Sequence, residues 1–297
     1  MRRLAPFILL ILMTPLKINA ACSGAECCAV SGGVTTLPIS GSCAILPDSY
    51  GITIYEKYLC TSAPTAPTSS SSVDLSNCFK TLDAPAGSTV RITESTSANF
   101  TDGTFTRPPN GVYTHGVMLI KNVFLLKFSL ELNRDWDGTD GSSDGTGVYC
   151  ATKNTTGYEE SGDLMQCDTS PVTAGELSAG MNSFGYDVIL GVKQNYEFSA
   201  TATNLNGTGA SISGYLLNTD GYLATSTAEV EAYERLLGIN AFAAPVVVTP
   251  ETSGFDMAFG INQGATIWDT GSNVDGGERN IGGGSGPFQA IITPINY

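Results

Sequence analysis

The sequence has a single histidine, His115, and few basic residues: 14 lysines and arginines against 28 acidic residues in 297 positions. A Ser-His-Asp or Cys-His mechanism would therefore have to use His115. Phosphate-binding loops and dinucleotide-binding fingerprints are also absent from the sequence. We interpret His115 as a structural residue at the start of an apolar strand. We therefore expect that the protein is not an enzyme.

The first 21 residues have the pattern of a removable secretory signal peptide. Two arginines precede an apolar run at residues 4–13, and small residues before Cys22 offer a cleavage site. The run is too short for a membrane-spanning helix, which needs about 20 residues, so we expect no transmembrane segment in the mature chain. Lipidation of Cys22 is a weaker alternative, because Asn19 stands where a lipobox has a Leu-like residue.

Removal of this segment leaves 11 basic and 28 acidic residues, which gives a net charge of −17. A surface this acidic repels phosphate backbones, so nucleic acid is not an expected partner. It also disfavours docking on anionic lipid. The sequence predicts a secreted protein, outside the cell or on its outer surface, with the periplasm as an alternative location.

All eight cysteines follow the signal segment, and an even number in an exported chain predicts disulfide bonds. Spacing groups Cys60 with Cys78, and Cys150 with Cys167, each pair flanking a polar loop. The remaining four form an N-terminal group in which the two adjacent cysteines are expected to have different partners: Cys22, Cys27, Cys28 and Cys43. Zinc binding is the alternative, and the single histidine and the oxidising compartment argue against it.

Short stretches in which apolar and polar residues alternate, separated by Gly, Ser and Thr, predict many short strands. Residues 50–60 are the clearest example. The longest apolar stretch, residues 112–132, is interrupted by lysines, and its alternation predicts two strands with a turn near Lys121-Asn122. Further strand candidates are residues 88–93, 184–192, 196–201, 212–217, 245–249, 255–261 and 288–293.

One helix is predicted, at residues 227–237. A capping box begins at Ser226, apolar residues follow at helical spacing, and Gly238 is a natural stop.

The predicted fold is all-β: a single elaborated antiparallel β-sandwich, of jelly-roll or prealbumin-like type. The expected organisation is a signal peptide (1–21), a cysteine-rich N-terminal segment (22–48) and a β-sandwich domain with loop insertions (49–297).

Residues 108–114, Pro-Pro-Asn-Gly-Val-Tyr-Thr, resemble the Pro-x-Gly-x-Tyr turn-to-strand element of secreted bacterial β-sandwich domains of the prealbumin-like kind. The prolines stiffen the approach, Gly111 permits a positive φ, and Tyr113 enters a strand. The resemblance implies a sandwich fold and no activity.

Residues 267–272, Ile-Trp-Asp-Thr-Gly-Ser, resemble the catalytic motif of aspartic proteases. That chemistry needs two aspartates that share a proton, and the sequence has no second Asp-Thr-Gly or Asp-Ser-Gly. We therefore interpret the motif around Asp269 as a polar turn after a strand.

The acidic stretch at residues 135–144 holds four aspartates separated by glycines: Asp135, Asp137, Asp140 and Asp144. Carboxylates with this spacing can surround a hard cation with oxygen ligands. Calcium is therefore the one cofactor that the sequence suggests, and an acidic hairpin loop without metal is the alternative.

A low fraction of charged residues, abundant Thr, Ser and Gly, and the lack of a catalytic constellation favour a structural or adhesive cell-surface protein. A strand-like piece at residues 34–39 could add to the sheet edge of another copy and build a filament or matrix; the alternative is that it packs on its own domain. The second hypothesis is an extracellular module that binds surface glycans or another ligand on Trp136 and Trp268. A secreted hydrolase ranks third.

Overall fold

A computed structural model describes residues 27–93, 102–157, 164–184, 187–189, 192–194, 197–202, 209–271, 278–286 and 288–296. The predicted signal peptide at residues 1–21 and Cys22 lie outside the described residues, as do parts of the strand candidates at 184–192 and 196–201. The fold is all-β and sandwich-like, with several antiparallel sheets, as the alternation in the sequence predicts. Within the described ranges, no helix is long and apolar enough to cross a membrane.

The described chain forms 21 strands and one helix. In chain order the strands up to the middle of the chain are β1 (Ala29–Ser31), β2 (Val34–Thr36), β3 (Ser42–Ile45), β4 (Ser49–Cys60), β5 (Cys78–Ile92), β6 (Thr104–Phe105), β7 (Gly111–Lys121), β8 (Val123–Lys127), β9 (Ser129–Gly138), β10 (Gly141–Thr152) and β11 (Met165–Asp168). The remaining elements are β12 (Leu177–Gly180), β13 (Asp187–Ile189), β14 (Val192–Gln194), β15 (Ser199–Ala202), β16 (Ser211–Leu217), α1 (Thr227–Tyr233), β17 (Arg235–Val248), β18 (Thr252–Gly260), β19 (Ala265–Asp269), β20 (Ile281–Ser285) and β21 (Gln289–Asn296).

Three sheets enclose the main core. A nine-stranded sheet has the order β12-β8-β4-β7-β17-β16-β15, with β5 beside β4 and β6 beside β5. A five-stranded sheet, β1-β2-β9-β10-β11, and a three-stranded sheet, β20-β19-β3, contribute to the same core, and β13-β14 and β18-β21 form separate ribbons. Buried side chains from all three sheets meet in one cluster that includes Tyr50, Ile52, Ile54, Ile120, Trp136, Met165, Ile267 and Ile281.

The apolar stretch at residues 112–132 does break into separate strands at Asn122, but it does not turn back there, so the predicted turn is wrong. Because β5 covers one edge of β4 throughout, β7 and β8 follow each other along its other edge. Asn122 marks the interruption: its backbone N–H donates to the carbonyl of Glu234 at 3.3 Å, and its Nδ2 donates to the carbonyl of Met181 at 2.8 Å. On the edge of β7 and β8 that faces away from β4, the neighbouring strand therefore changes from β17 to β12 at Asn122.

Helix α1 begins where the capping box predicts, since the Ser226 hydroxyl accepts the backbone N–H of Glu229. It ends at Tyr233 and not at the predicted 237, because Glu234 adopts a left-handed conformation (φ 50°, ψ 46°). Leu236 and the residues after it belong to β17, where they pair with β7 and β16. Long-range sheet pairing here overrides the helical spacing of the leucines.

Three disulfides are described. Two of them, Cys60–Cys78 and Cys150–Cys167, are the pairs that the spacing predicts, and each joins residues directly opposite one another on adjacent strands. The third, Cys28–Cys43, lies within the predicted N-terminal group. Cys27 is also disulfide-bonded. These bonds fit folding in an oxidising compartment.

Residues 108–110 lead into β7, which begins at Gly111. The Tyr113 hydroxyl donates to the carbonyl of Pro109 at 2.7 Å, and the ring is buried. It packs with Leu59 and Val246 in a small second apolar cluster, against which side chains of the β18–β21 ribbon also pack. Tyr113 thus helps to pack the β18–β21 ribbon against the nine-stranded sheet.

Candidate functional site

Asp269, the aspartate of the protease-like motif, ties together two turns that are distant in sequence. Its side chain is fully buried. Its Oδ2 lies 2.5 Å from Nε of Arg279 and accepts the backbone N–H of Ser40 at 2.6 Å. Its Oδ1 accepts the N–H of Gly271 at 2.9 Å. The Asp269 carboxylate therefore holds the turn before β3 against the β19–β20 hairpin.

The surroundings of Asp269 favour a permanently ionised carboxylate. Burial acting alone would raise its pKa, but the ion pair with Arg279 and the N–H groups of Ser40 and Gly271 outweigh burial and hold the pKa below its ordinary value. An aspartic-protease dyad needs a second carboxylate close enough to share a proton. In the described part of the chain, the partners of Asp269 are donors, not carboxylates.

The four aspartates of residues 135–144 do not converge on one point. Asp144 pairs with Lys153 at 2.5 Å and accepts the backbone N–H of Asp140 at 3.1 Å, so these residues organise the tip of the β9–β10 hairpin. Asp135 is exposed, whereas Asp137 on the same strand is completely buried. Among the described residues, no three acidic, histidine or cysteine side chains are grouped as metal ligands.

His115 is built into the nine-stranded sheet between Cys60 of β4 and Ala241 of β17. Its Nδ1 lies 2.8 Å from the hydroxyl oxygen of Thr114. Partial burial lowers the pKa of His115, which favours a neutral ring. The neighbours that the described structure gives it are a disulfide cysteine, an alanine and a threonine, which do not make a catalytic triad.

The strand-like piece at residues 34–39 is used within its own chain. Its first half forms β2, which pairs in parallel with β9 through Val34–Glu131 and Thr35–Leu132. Leu37 is buried in the main core. The piece therefore contributes to the five-stranded sheet of its own domain, the alternative that the sequence left open.

The preceding strand, β1, ends this sheet. It pairs only with β2 among the described strands, and its three side chains are exposed. Val30 in β1 is 62% exposed and Ile39 is 60% exposed, more than any other large hydrophobic side chain in the described ranges. Both belong to the N-terminal segment.

The two tryptophans have opposite environments. Trp136 is completely buried in the main core, so it has no face on which a sugar could stack. Trp268 lies on the outer side of the three-stranded sheet, because its neighbour Ile267 points into the core. A Cβ at Gly282 would collide with the indole, and one at Gly284 would lie 3.1 Å from its edge. The indole therefore lies across Gly282 and Gly284, two of the three glycines of β20.

Two of the residues that organise the surroundings of Asp269 were not singled out in the sequence: Ser40 and Arg279. Ser40 is 229 positions from Asp269, so no spacing pattern could connect them.

No family model, curated protein or solved structure matches this chain.

Proposed function

We propose that this chain is an extracellular structural or adhesive surface protein that associates with further copies of itself along the outer edge of β1. The observation that carries the proposal is the sequence of this edge strand, Ala-Val-Ser, which ends the five-stranded sheet without a charged residue or a proline. Natural edge strands commonly carry lysine, proline or a bulge that blocks pairing.

Several features of β1 suit it to pairing between copies. Its outward N–H and C=O groups face no other strand of the described chain. The Gly32-Gly33 turn, with both glycines at positive φ, holds the β1–β2 hairpin in a fixed register. Exposed Val30 supplies an apolar contact. An antiparallel β1–β1 pair about a two-fold axis would join two five-stranded sheets into one.

Replacing Val30 with lysine should weaken this association. Burial of a valine contributes about 1.5 kcal/mol, so a charged residue should raise the dissociation constant about tenfold or more. The measurement is sedimentation velocity over a concentration series, with negative-stain microscopy of the secreted wild-type protein. Val112→Lys, at a 51% exposed valine in β7, is the matched control and should associate like the wild type.

Two results would contradict the proposal. One is a wild-type protein that stays monomeric at every concentration and shows no ordered assemblies. The other is a Val30→Lys variant that assembles as well as the wild type.

A second candidate function, adhesion through glycans, is favoured by the position of the Trp268 ring on the outer face of the three-stranded sheet. Its ring lies over the backbone of Gly282 and Gly284, and Ser42 is its cross-strand neighbour on β3. Thr266 extends from the same face of β19. A flat aromatic ring surrounded by hydroxyl groups suits stacking against the apolar face of a sugar.

Replacing Trp268 with alanine should reduce glycan binding about tenfold or more, because the stacking surface is lost. A glycan array followed by titration of the best ligand measures this. The matched control is Phe105→Ala, an exposed aromatic in β6. Glycan adhesion is rejected if the wild type binds nothing on the array, or if Trp268→Ala binds as well as the wild type.

A further inference from the structure

Two buried oxygen atoms next to one another in the fold have no hydrogen-bond partner. They are Oδ2 of Asp137 in β9 and Oδ1 of Asn280, which immediately precedes β20. Both residues are 0% exposed. They form a parallel β-bridge, and the N–H of Asp137 donates to the carbonyl of Arg279 at 3.0 Å. Because bridged residues project from the same side of a sheet, the two side chains are neighbours.

The groups around this pair are rich in oxygen. The Thr146 hydroxyl donates to Oδ1 of Asp137, and Nδ2 of Asn280 donates to the carbonyl of Thr139 at 3.1 Å. Arg279, next to Asn280 in sequence, is already paired with Asp269, and Arg134, three residues before Asp137, lies over the Trp136 ring. In the described part of the chain, no lysine or arginine forms an ion pair with Asp137.

A carboxylate that is removed from water without a cation or a full set of donors is energetically costly. A bound water could satisfy the two oxygens but would leave the charge in place. A hard cation would satisfy the oxygens and neutralise the charge. We propose that the Asp137 carboxylate and the Asn280 amide oxygen bind one calcium ion, with the Thr139 carbonyl and the Thr146 hydroxyl as further oxygen donors.

This site differs from the cluster that the sequence suggests. Of the four aspartates in residues 135–144, it uses only Asp137. Its second side chain comes from a strand connection 143 residues later in the chain. The ion would fasten the five-stranded sheet to the three-stranded sheet at the junction of β9 and β20. Extracellular calcium sites of this kind typically bind at submillimolar to millimolar calcium.

The test compares the thermal unfolding midpoint of the disulfide-intact protein in EDTA with the midpoint during titration by calcium chloride. We expect a saturable increase of about 5 °C for the wild type, with magnesium chloride giving clearly less because Mg²⁺ demands stricter octahedral geometry. Asp137→Asn should abolish the calcium-dependent increase. Asp135→Asn removes the same charge from an exposed position of the same strand and should retain it.

A second variant keeps the proposal testable if Asp137→Asn folds poorly. Asn280→Asp adds a second carboxylate, so it should be less stable than the wild type in EDTA and should gain more from calcium. The proposal is overturned if calcium leaves the wild-type midpoint unchanged. It is also overturned if Asp137→Asn and Asp135→Asn respond to calcium alike, or if calcium fails to rescue Asn280→Asp.

Discussion

Replacing Arg279 with methionine should lower the free energy of unfolding at pH 7 by about 3 kcal/mol. The substitution leaves the Asp269 carboxylate buried with only the N–H groups of Ser40 and Gly271 as donors. Urea unfolding of the disulfide-intact protein measures the change. Arg91→Met is the matched control, because Arg91 and Glu176 form an exposed pair, with side chains 51% and 37% exposed. We expect the control to lose less than about 1 kcal/mol.

The loss of unfolding free energy caused by Arg279→Met should become smaller as the pH is lowered from 7 to 3. In the wild type the pKa of Asp269 is below its ordinary value, so its contribution to stability is present above the unfolded-state pKa and is lost as the pH falls through the folded-state pKa. Without Arg279, burial raises the pKa, and the folded variant takes up a proton at a higher pH than the unfolded chain. A deficit that is no larger than that of Arg91→Met, or that is identical at pH 7 and pH 3, would rule out this account.

Replacing Lys57 with methionine should raise the free energy of unfolding at pH 7 by about 3 kcal/mol. Lys57 is 8% exposed, and its cross-strand neighbours Leu82 and Met118 are both buried. Burial lowers the pKa of Lys57 from 10.5 to about 8. No ion pair of its ammonium group is found within the described ranges, so the folded protein bears the cost of a buried charge.

The stabilisation should depend on pH in a defined window. Between pH 8 and pH 10.5 the unfolded chain binds more protons at Lys57 than the folded chain, so wild-type stability rises with pH across this interval. The gain in unfolding free energy from Lys57→Met should therefore be greatest below pH 8 and should largely disappear above pH 10.5.

Lys127→Met, at an exposed lysine of β8, should change stability by less than about 0.5 kcal/mol at any of these pH values. A Lys57→Met variant no more stable than the wild type at pH 7 would show that the ammonium group is not buried as described.

Features that depend on neighbouring residues could be predicted from the sequence. Strands β4 and β16 lie where alternation predicts them. The Cys60–Cys78 and Cys150–Cys167 disulfides follow from spacing, because each closes a short loop between adjacent antiparallel strands. The start of α1 at Ser226 follows from a capping box whose donors and acceptors lie within one helical turn.

Features that depend on distant partners could not be predicted in this way. The leucines after Glu234 have helical spacing, yet they pair with β7, which is more than a hundred residues earlier. Asn122 reads as a turn residue but interrupts a strand, because its backbone bonds reach Glu234 and Met181. The role of Asp269 rests on Ser40, and that of Asp137 on Asn280.

The local pattern of side chains was thus sufficient for the all-β class, for two of the disulfides and for the beginning of the helix. Which strands became neighbours, and which charges were enclosed, depended on packing between segments far apart in the chain. The physical reason is that a two-residue period specifies the two faces of each strand without specifying its partner. Burial of Asp137, Asp269 and Lys57 arises only when those partners close over them.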